Sequence, residues 1–236
     1  MKRESARCAV ILVGALAGPV MAGGGATFIF DDAPYLSSGD SPFDLFGPGS
    51  DFFLETFDPD GVFDAPGLIG FGGEVRFPGT FTDSVDADDG FIDGLGQDGH
   101  NYWAFFGQDG SGPLARFEFD PKVLGGLPRS VGLVWTDGNF DAITYFEAFG
   151  PDGESLGITE HILGDDGHQG GTAEDRFLGA MFQGGISAIE ISATLGRIEL
   201  DHVQYGDIIP APGVLALLGL SGLLRRRSRR RLALMS

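Results

Sequence analysis

Cysteine is nearly missing from this 236-residue chain: Cys8 is the sole thiol, and it lies in the first apolar run. If that run is removed on export, the remaining protein has no disulfide, no cysteine nucleophile and no cysteine-ligated metal. Basic charge is also scarce where it would matter. Lys2, Arg3, Arg7 and six arginines between Arg225 and Arg231 account for nine of the fifteen basic residues. Residues 23–209 keep only Arg76, Arg116, Lys122, Arg129, Arg176 and Arg197 against 33 carboxylates, a formal charge of -27. Such a surface excludes nucleic acid as a partner, because phosphate needs a basic face. Sustained 3.6-residue periodicity is absent outside the two ends. Glycine and proline together make 53 of 236 residues, against a typical share of about 12%, so turns are frequent and long helices are disfavoured outside the two ends. The chain also lacks a Gly-x-Ser-x-Gly elbow, a Walker loop and a Gly-x-Gly-x-x-Gly turn opening a helix, which argues against a serine hydrolase or a nucleotide-binding enzyme.

The two ends carry addresses. Lys2, Arg3 and Arg7 precede the apolar run Ala9 to Pro19, and Val20 and Ala22 supply the small residues of a cleavage site. This predicts a signal helix over residues 1–22, cut after Ala22. At the other end, Ile208 to Leu224 is 17 residues without a charge. As a helix it would be about 25 Å long, close to the lower limit for crossing a bilayer. The arginines that follow would stay on the cytoplasmic side.

Pro210, Ala211 and Pro212, the apolar stretch, and the cluster Arg225, Arg226, Arg227, Arg229, Arg230 and Arg231 together resemble the PEP-CTERM sorting tail of bacterial surface proteins. Ala211 stands where the family usually has glutamate. The resemblance implies an exosortase-type enzyme as partner and cleavage near Pro210 to Pro212. It also implies transient anchoring in the inner membrane through residues 208–236, then display at the cell surface or release outside, often beside exopolysaccharide.

Residues 23–207 are expected to form one domain, since about 185 residues suffice for a real core. Short alternating segments predict strands: 26–30, 52–57, 102–106, 115–119, 131–135, 143–149, 177–182, 189–195 and 198–205. Pro151-Asp152-Gly153 and Gly184-Gly185 read as turns between strands. About nine strands at hairpin spacing predict an all-β fold, an antiparallel β-sandwich of jelly-roll type. Between Leu200 and Val203 the parity of the apolar positions switches, which fits either a bulge at Asp201-His202 or a corner between two strands. The Phe-rich stretch 31–72 predicts ordered loops laid over the sandwich.

Chemistry concentrates at Asp83, Asp86, Asp88, Asp89 and Asp93, five aspartates in eleven residues. Crowded carboxylates repel, and a hard cation taking six to eight oxygens would order them. Calcium is therefore one reading, and a solvated acidic loop is the other. His161 and His168 flank Asp165-Asp166, but no metal spacing supports them, and surface turns are the expectation for all four histidines. Trp103, beside Tyr102, is read either as a platform for sugar rings or as ordinary packing, and Trp135 as core.

From Phe53 to Gly206 the body also resembles other PEP-CTERM proteins through DSVDADDG (83–90), VWTDG (134–138), TAEDRF (172–177) and DHVQYG (201–206). It is similar in layout to galactose-binding-like sandwiches, and that likeness adds Asp201 to the candidate calcium ligands. The expectation is a non-enzymatic surface or matrix protein that binds polysaccharide with calcium. The alternatives are a carbohydrate-active hydrolase or lyase using loop carboxylates, and a structural or adhesion protein with no ligand.

Overall fold

The computed structural model describes residues 25–58, 62–76, 84–85, 99–107, 112–139, 141–163 and 174–210. The predicted signal segment with Ala22, the tail from Ala211 onward, His168, and the aspartates Asp83, Asp86, Asp88, Asp89 and Asp93 all lie outside these residues.

The described chain is all-β. Its strands are β1 (Thr27–Phe30), β2 (Phe53–Glu55), β3 (Leu68–Phe71), β4 (Gly73–Arg76), β5 (Asn101–Phe106), β6 (Pro113–Phe119), β7 (Gly126–Gly138), β8 (Ile143–Phe149), β9 (Ser155–Ile162), β10 (Arg176–Met181), β11 (Ala188–Ala193) and β12 (Ile198–Pro210). Two short helical turns join them, a 3-10 turn at Ser38–Asp40 and α1 at Pro121–Leu124.

Strands β1, β10, β7, β12 and β5 form one half of the sheet, with β2 added to β12 and β4 added to β5. Strands β6, β11, β8 and β9 form the other half, with β3 added to β6. Every pairing is antiparallel. Strand β5 links the halves: Tyr102 to Ala104 pair with β12, whereas Phe105 and Phe106 pair with β6. The far edges nearly close the sheet on itself, since the Ala26 amide donates to the Leu156 carbonyl at 3.4 Å and Phe30 stacks on His161 with centroids 4.2 Å apart.

The core fills the space between the halves. Alternation turns Val131, Leu133 and Trp135 of β7, Phe117 of β6, Phe146 of β8, Ile189 and Ile191 of β11, and Ile198 and Leu200 of β12 to the core side, and all are buried. Each such side chain contributes about 1.5–3 kcal/mol on burial. Trp135 is a core residue, as its parity predicts.

The predicted parity switch in the last strand is a bulge. Asp201 pairs with Val134 and Gln204 with Gly132, so β12 spends three steps where β7 spends two. His202 absorbs the extra residue at φ 44°, and Leu200, Val203 and Tyr205 all reach the core. The Phe-rich segment also lies where it was expected. Tyr35, Phe43 and Leu45 pack on Val134 and Phe177, on the side of β7 and β10 away from the main core. Phe46, 72% exposed, and Phe71, 48% exposed, are the exceptions.

Three strands have no counterpart among the predicted segments. Strands β3 and β4 are four residues each and separated by Gly72. That glycine has φ 80°, and a Cβ on it would lie 2.2 Å from the Leu114 carbonyl oxygen, so the chain turns there only because the side chain is missing. Strand β9 hides because two of its three large apolar residues face outward: Ile158 is 52% and Ile162 73% exposed, while Thr159 and His161 turn inward. The last strand is longer than predicted. It runs to Pro210, opposite Gly126, and takes Ile208, Ile209 and Pro210 out of the stretch read as a membrane helix. Fourteen uncharged residues then remain from Ala211 to Leu224, about 21 Å as helix, which is short for crossing a bilayer. Among the described residues, no helix is long and apolar enough to cross a membrane.

Candidate functional site

The side of β12 that faces away from the core carries polar residues, and loops cover them. Glu199 and Asp201 alternate with the core residues Ile198 and Leu200, and Gln204 follows the bulge on the same side. All three are buried, at 1%, 0% and 0% exposed. Neighbouring strands add Thr136 from β7 and Asn101 from β5, and Asp175 sits just before β10; these too are buried. Buried polar groups persist when they are hydrogen-bonded, and Asn101, Glu199, Asp201 and Gln204 of this row are. Asn101 Nδ2 donates to Glu199 Oε2 at 2.6 Å. Gln204 Nε2 donates to the Tyr35 hydroxyl at 2.8 Å, and Ser41 Oγ donates to Gln204 Oε1 at 2.5 Å.

Asp201 is the centre of this row. Its Oδ2 accepts from Ser84 Oγ at 2.8 Å and from the Val85 amide at 2.9 Å, and its Oδ1 accepts from the His202 amide at 2.6 Å. Ser84 and Val85 lie in sequence between Asp83 and Asp86, so the last strand is bonded to the two described residues of the acidic run. Val85 is buried against the same cluster as Tyr35 and Phe43. Among the described residues, no group of three or more His, Cys, Asp or Glu side chains is arranged to hold a metal.

Tyr102 and Trp103 do not form one platform, because neighbours on a strand point to opposite faces. Tyr102 is in the core, 1% exposed, with Phe117 at 4.9 Å and Phe57 at 5.8 Å between ring centroids. Burial pushes its hydroxyl pKa up to about 12, against the opposing pull of the Gly73 amide. Trp103 faces the other way and is 9% exposed. Arg76 and Arg197, from the strands on either side, place guanidinium carbons 4.1 Å and 4.9 Å from its ring centroid. Its ring is therefore occupied by cations, which corrects the reading of these two residues as a sugar-stacking surface.

The described histidines are not turn residues either. His202 is in the bulge of β12 and buried, and His100 is buried beside Asp58, to which its Nδ1 is bonded. His161 is in β9, stacked on Phe30, and its Nε2 meets Thr159 Oγ1 at 3.0 Å. Burial lowers its pKa, with Asp32 pulling the other way.

Glu55 is the carboxyl that composition and motif reasoning missed. It is 1% exposed, and it accepts the amides of Phe57 (2.8 Å), Asp64 (2.7 Å) and Ala65 (2.8 Å). Burial raises its pKa above the usual carboxylate range despite those three donors. Both oxygens are committed to backbone, so Glu55 is a clamp on the loop that brings Phe57, at φ 60°, into the core.

No family model matches the chain, and no curated protein matches it. Among solved structures, the K2 cleaved adhesin domain of Lys-gingipain is similar at a TM-score of 0.43 and 8% identity, over 65% of this chain and 97% of that one. The K1 cleaved adhesin domain of Lys-gingipain from Porphyromonas gingivalis is similar at 0.38 and 11% identity, over 65% and 96%. Likenesses this distant transfer no function.

Proposed function

We propose that this chain is a non-enzymatic protein of a bacterial surface or matrix that binds polysaccharide with calcium. In this reading residues 1–22 export it, and an exosortase-type enzyme sorts it through Pro210-Ala211-Pro212 and the arginine cluster. The membrane holds its tail only transiently before surface display or release. The body is read as a jelly-roll sandwich of galactose-binding-like layout.

One observation supports the calcium part. The buried carboxylate of Asp201 is bonded to Ser84 and Val85, inside the run that carries Asp83, Asp86, Asp88, Asp89 and Asp93. The last strand and the acidic run, associated in sequence only through a family likeness, are in contact. A tether on Ser84 and Val85 would remove part of the entropy cost of closing the run around an ion. Five aspartates supply oxygens of the kind calcium takes, and the ion offsets their mutual repulsion.

The test is a thermal melt of the full chain in chelator, in millimolar calcium, and in sodium chloride of matched ionic strength. An ion at 100 times its Kd that binds only the folded state adds about 2.7 kcal/mol. Calcium is expected to raise the melting temperature well beyond sodium, and D86N/D88N/D89N to abolish the difference. Equal shifts in the two salts would leave the run as solvated surface. Turnover of a polysaccharide, abolished by one carboxylate substitution, would overturn the non-enzymatic reading.

A further inference from the structure

The two arginines over Trp103 are out of keeping with the rest of the body. Residues 23–209 hold six cations among 33 carboxylates, yet two of the six converge on one indole. Arg197 is exposed and makes no ion pair among the described residues. Arg76 meets Glu74 through Nε alone, at 2.8 Å, so its two terminal nitrogens are not used in that pair. Glu74, opposite Trp103 in the register, already offsets part of the charge of Arg76, so an incoming anion would meet chiefly the charge of Arg197 and the terminal nitrogens of Arg76. The indole meanwhile holds both guanidiniums in place through cation–π contacts.

The same side of β5 continues from Trp103 to Phe105, two residues on. Phe105 is 43% exposed and pairs with Leu114, 42% exposed. Extending the Ile198–Ala104 register by one residue sets Arg197 level with Phe105. Phe71, 48% exposed, precedes Gly72, whose carbonyl accepts the Phe105 amide at 2.7 Å. A cationic pair thus borders an exposed apolar strip, on a body whose general charge is negative.

We infer that this face of β5 binds a carboxylated saccharide, with Arg197 and Arg76 on the uronate carboxylate and Phe105 and Leu114 against the apolar face of a pyranose ring. Arginine suits a carboxylate through its planar fork of donors, and a sugar ring offers an apolar face of C–H groups beside its charge. The inference rests on the polysaccharide part of the proposed function and names the class of sugar, but it does not require calcium.

The probes are a galacturonic acid tetramer and its carboxyl-reduced, neutral counterpart, titrated into the full chain by calorimetry in chelator near 0.15 M salt. The acidic tetramer is expected to bind and the neutral one to bind at least tenfold more weakly. R197Q is expected to lose at least tenfold in affinity for the acidic tetramer, with the melting temperature lowered only by the loss of one cation–π contact on an exposed side chain. F105S is expected to weaken both tetramers. Equal binding of the two tetramers, an unaffected R197Q, or inorganic sulfate competing as well as the tetramer would overturn the inference. Binding that appears only with calcium would also overturn it while leaving the calcium reading in place. Binding in chelator together with a flat calcium melt would uphold this site and sink the other.

Discussion

Glu55 shows how much of this fold hangs on single buried groups. Its carboxylate holds three backbone amides, and one of them belongs to Phe57, whose left-handed backbone is costly for a bulky residue. Glu55→Gln replaces one acceptor oxygen by a donor, which must then face an amide. A loss of about 1–3 kcal/mol is expected, read from the denaturant midpoint at constant slope. The pH dependence follows from the raised pKa. The folded state holds the Glu55 proton more tightly than the unfolded chain, so this group lowers stability as pH rises through the window just above the usual carboxylate range. The opposite slope is expected from ordinary paired carboxylates. In the Gln variant the falling component should vanish, and an identical slope in both proteins would refute the assignment.

At the scale of elements, three irregularities shape the sheet, two of them where the halves meet. The bulge at His202 returns Val203 and Tyr205 to the core, and β5 passes from one half to the other at Phe105. Gly72 turns β3 into β4 at the same corner, against the backbone of Leu114. Gly72→Ala should cost about 1–2 kcal/mol for the left-handed backbone, plus the collision with a carbonyl that cannot move without breaking the β5–β6 pairing. Gly153 has φ 78° and open space within 4 Å of where a Cβ would sit, so it isolates the first part of that cost. Gly72→Ala is therefore expected to lower the melting temperature distinctly more than Gly153→Ala, and equal shifts would show that the corner yields.

At the scale of the whole molecule, the junction between body and tail is a conflict over three residues. Ile208, Ile209 and Pro210 lie in the sheet opposite Pro128, Leu127 and Gly126, and Asp51 accepts the amides of Asp207 and Ile208 at 3.1 Å each. They cannot at once lengthen the apolar tail. With only 14 uncharged residues after Pro210, membrane retention should depend strongly on the arginines that follow. Deleting residues 211–236 is expected to abolish membrane association in cell fractionation while leaving β12 whole. Neutralising Arg225 to Arg231 should release most of the protein from the membrane fraction. Full-length protein that never associates with membranes would end the sorting-tail reading.

Local alternation determined most of the strands, because a period of two in β6, β8, β11 and β12 leaves one face apolar whatever surrounds it. The same logic placed the bulge, since a parity switch within one strand has few physical solutions. The turns at Pro151-Asp152-Gly153 and Gly184-Gly185 were legible for the backbone freedom and fixed dihedrals of their residues. What alternation cannot supply is what lies over the second face. Alternation puts Asp201 opposite the core residue Leu200, but only the tertiary structure sets Ser84 and Val85 on Asp201 and Tyr35 and Ser41 on Gln204. Trp103 reads as an open ring until β4 and β12 bring Arg76 and Arg197 beside it. Strands β3, β4 and β9 escaped because their pairing comes from partners distant in sequence, and β9 turns two of its three large apolar residues outward. Burial of the second face and the pairing of these edges depend on contacts between segments far apart along the chain, and those exist only once the sheet has closed.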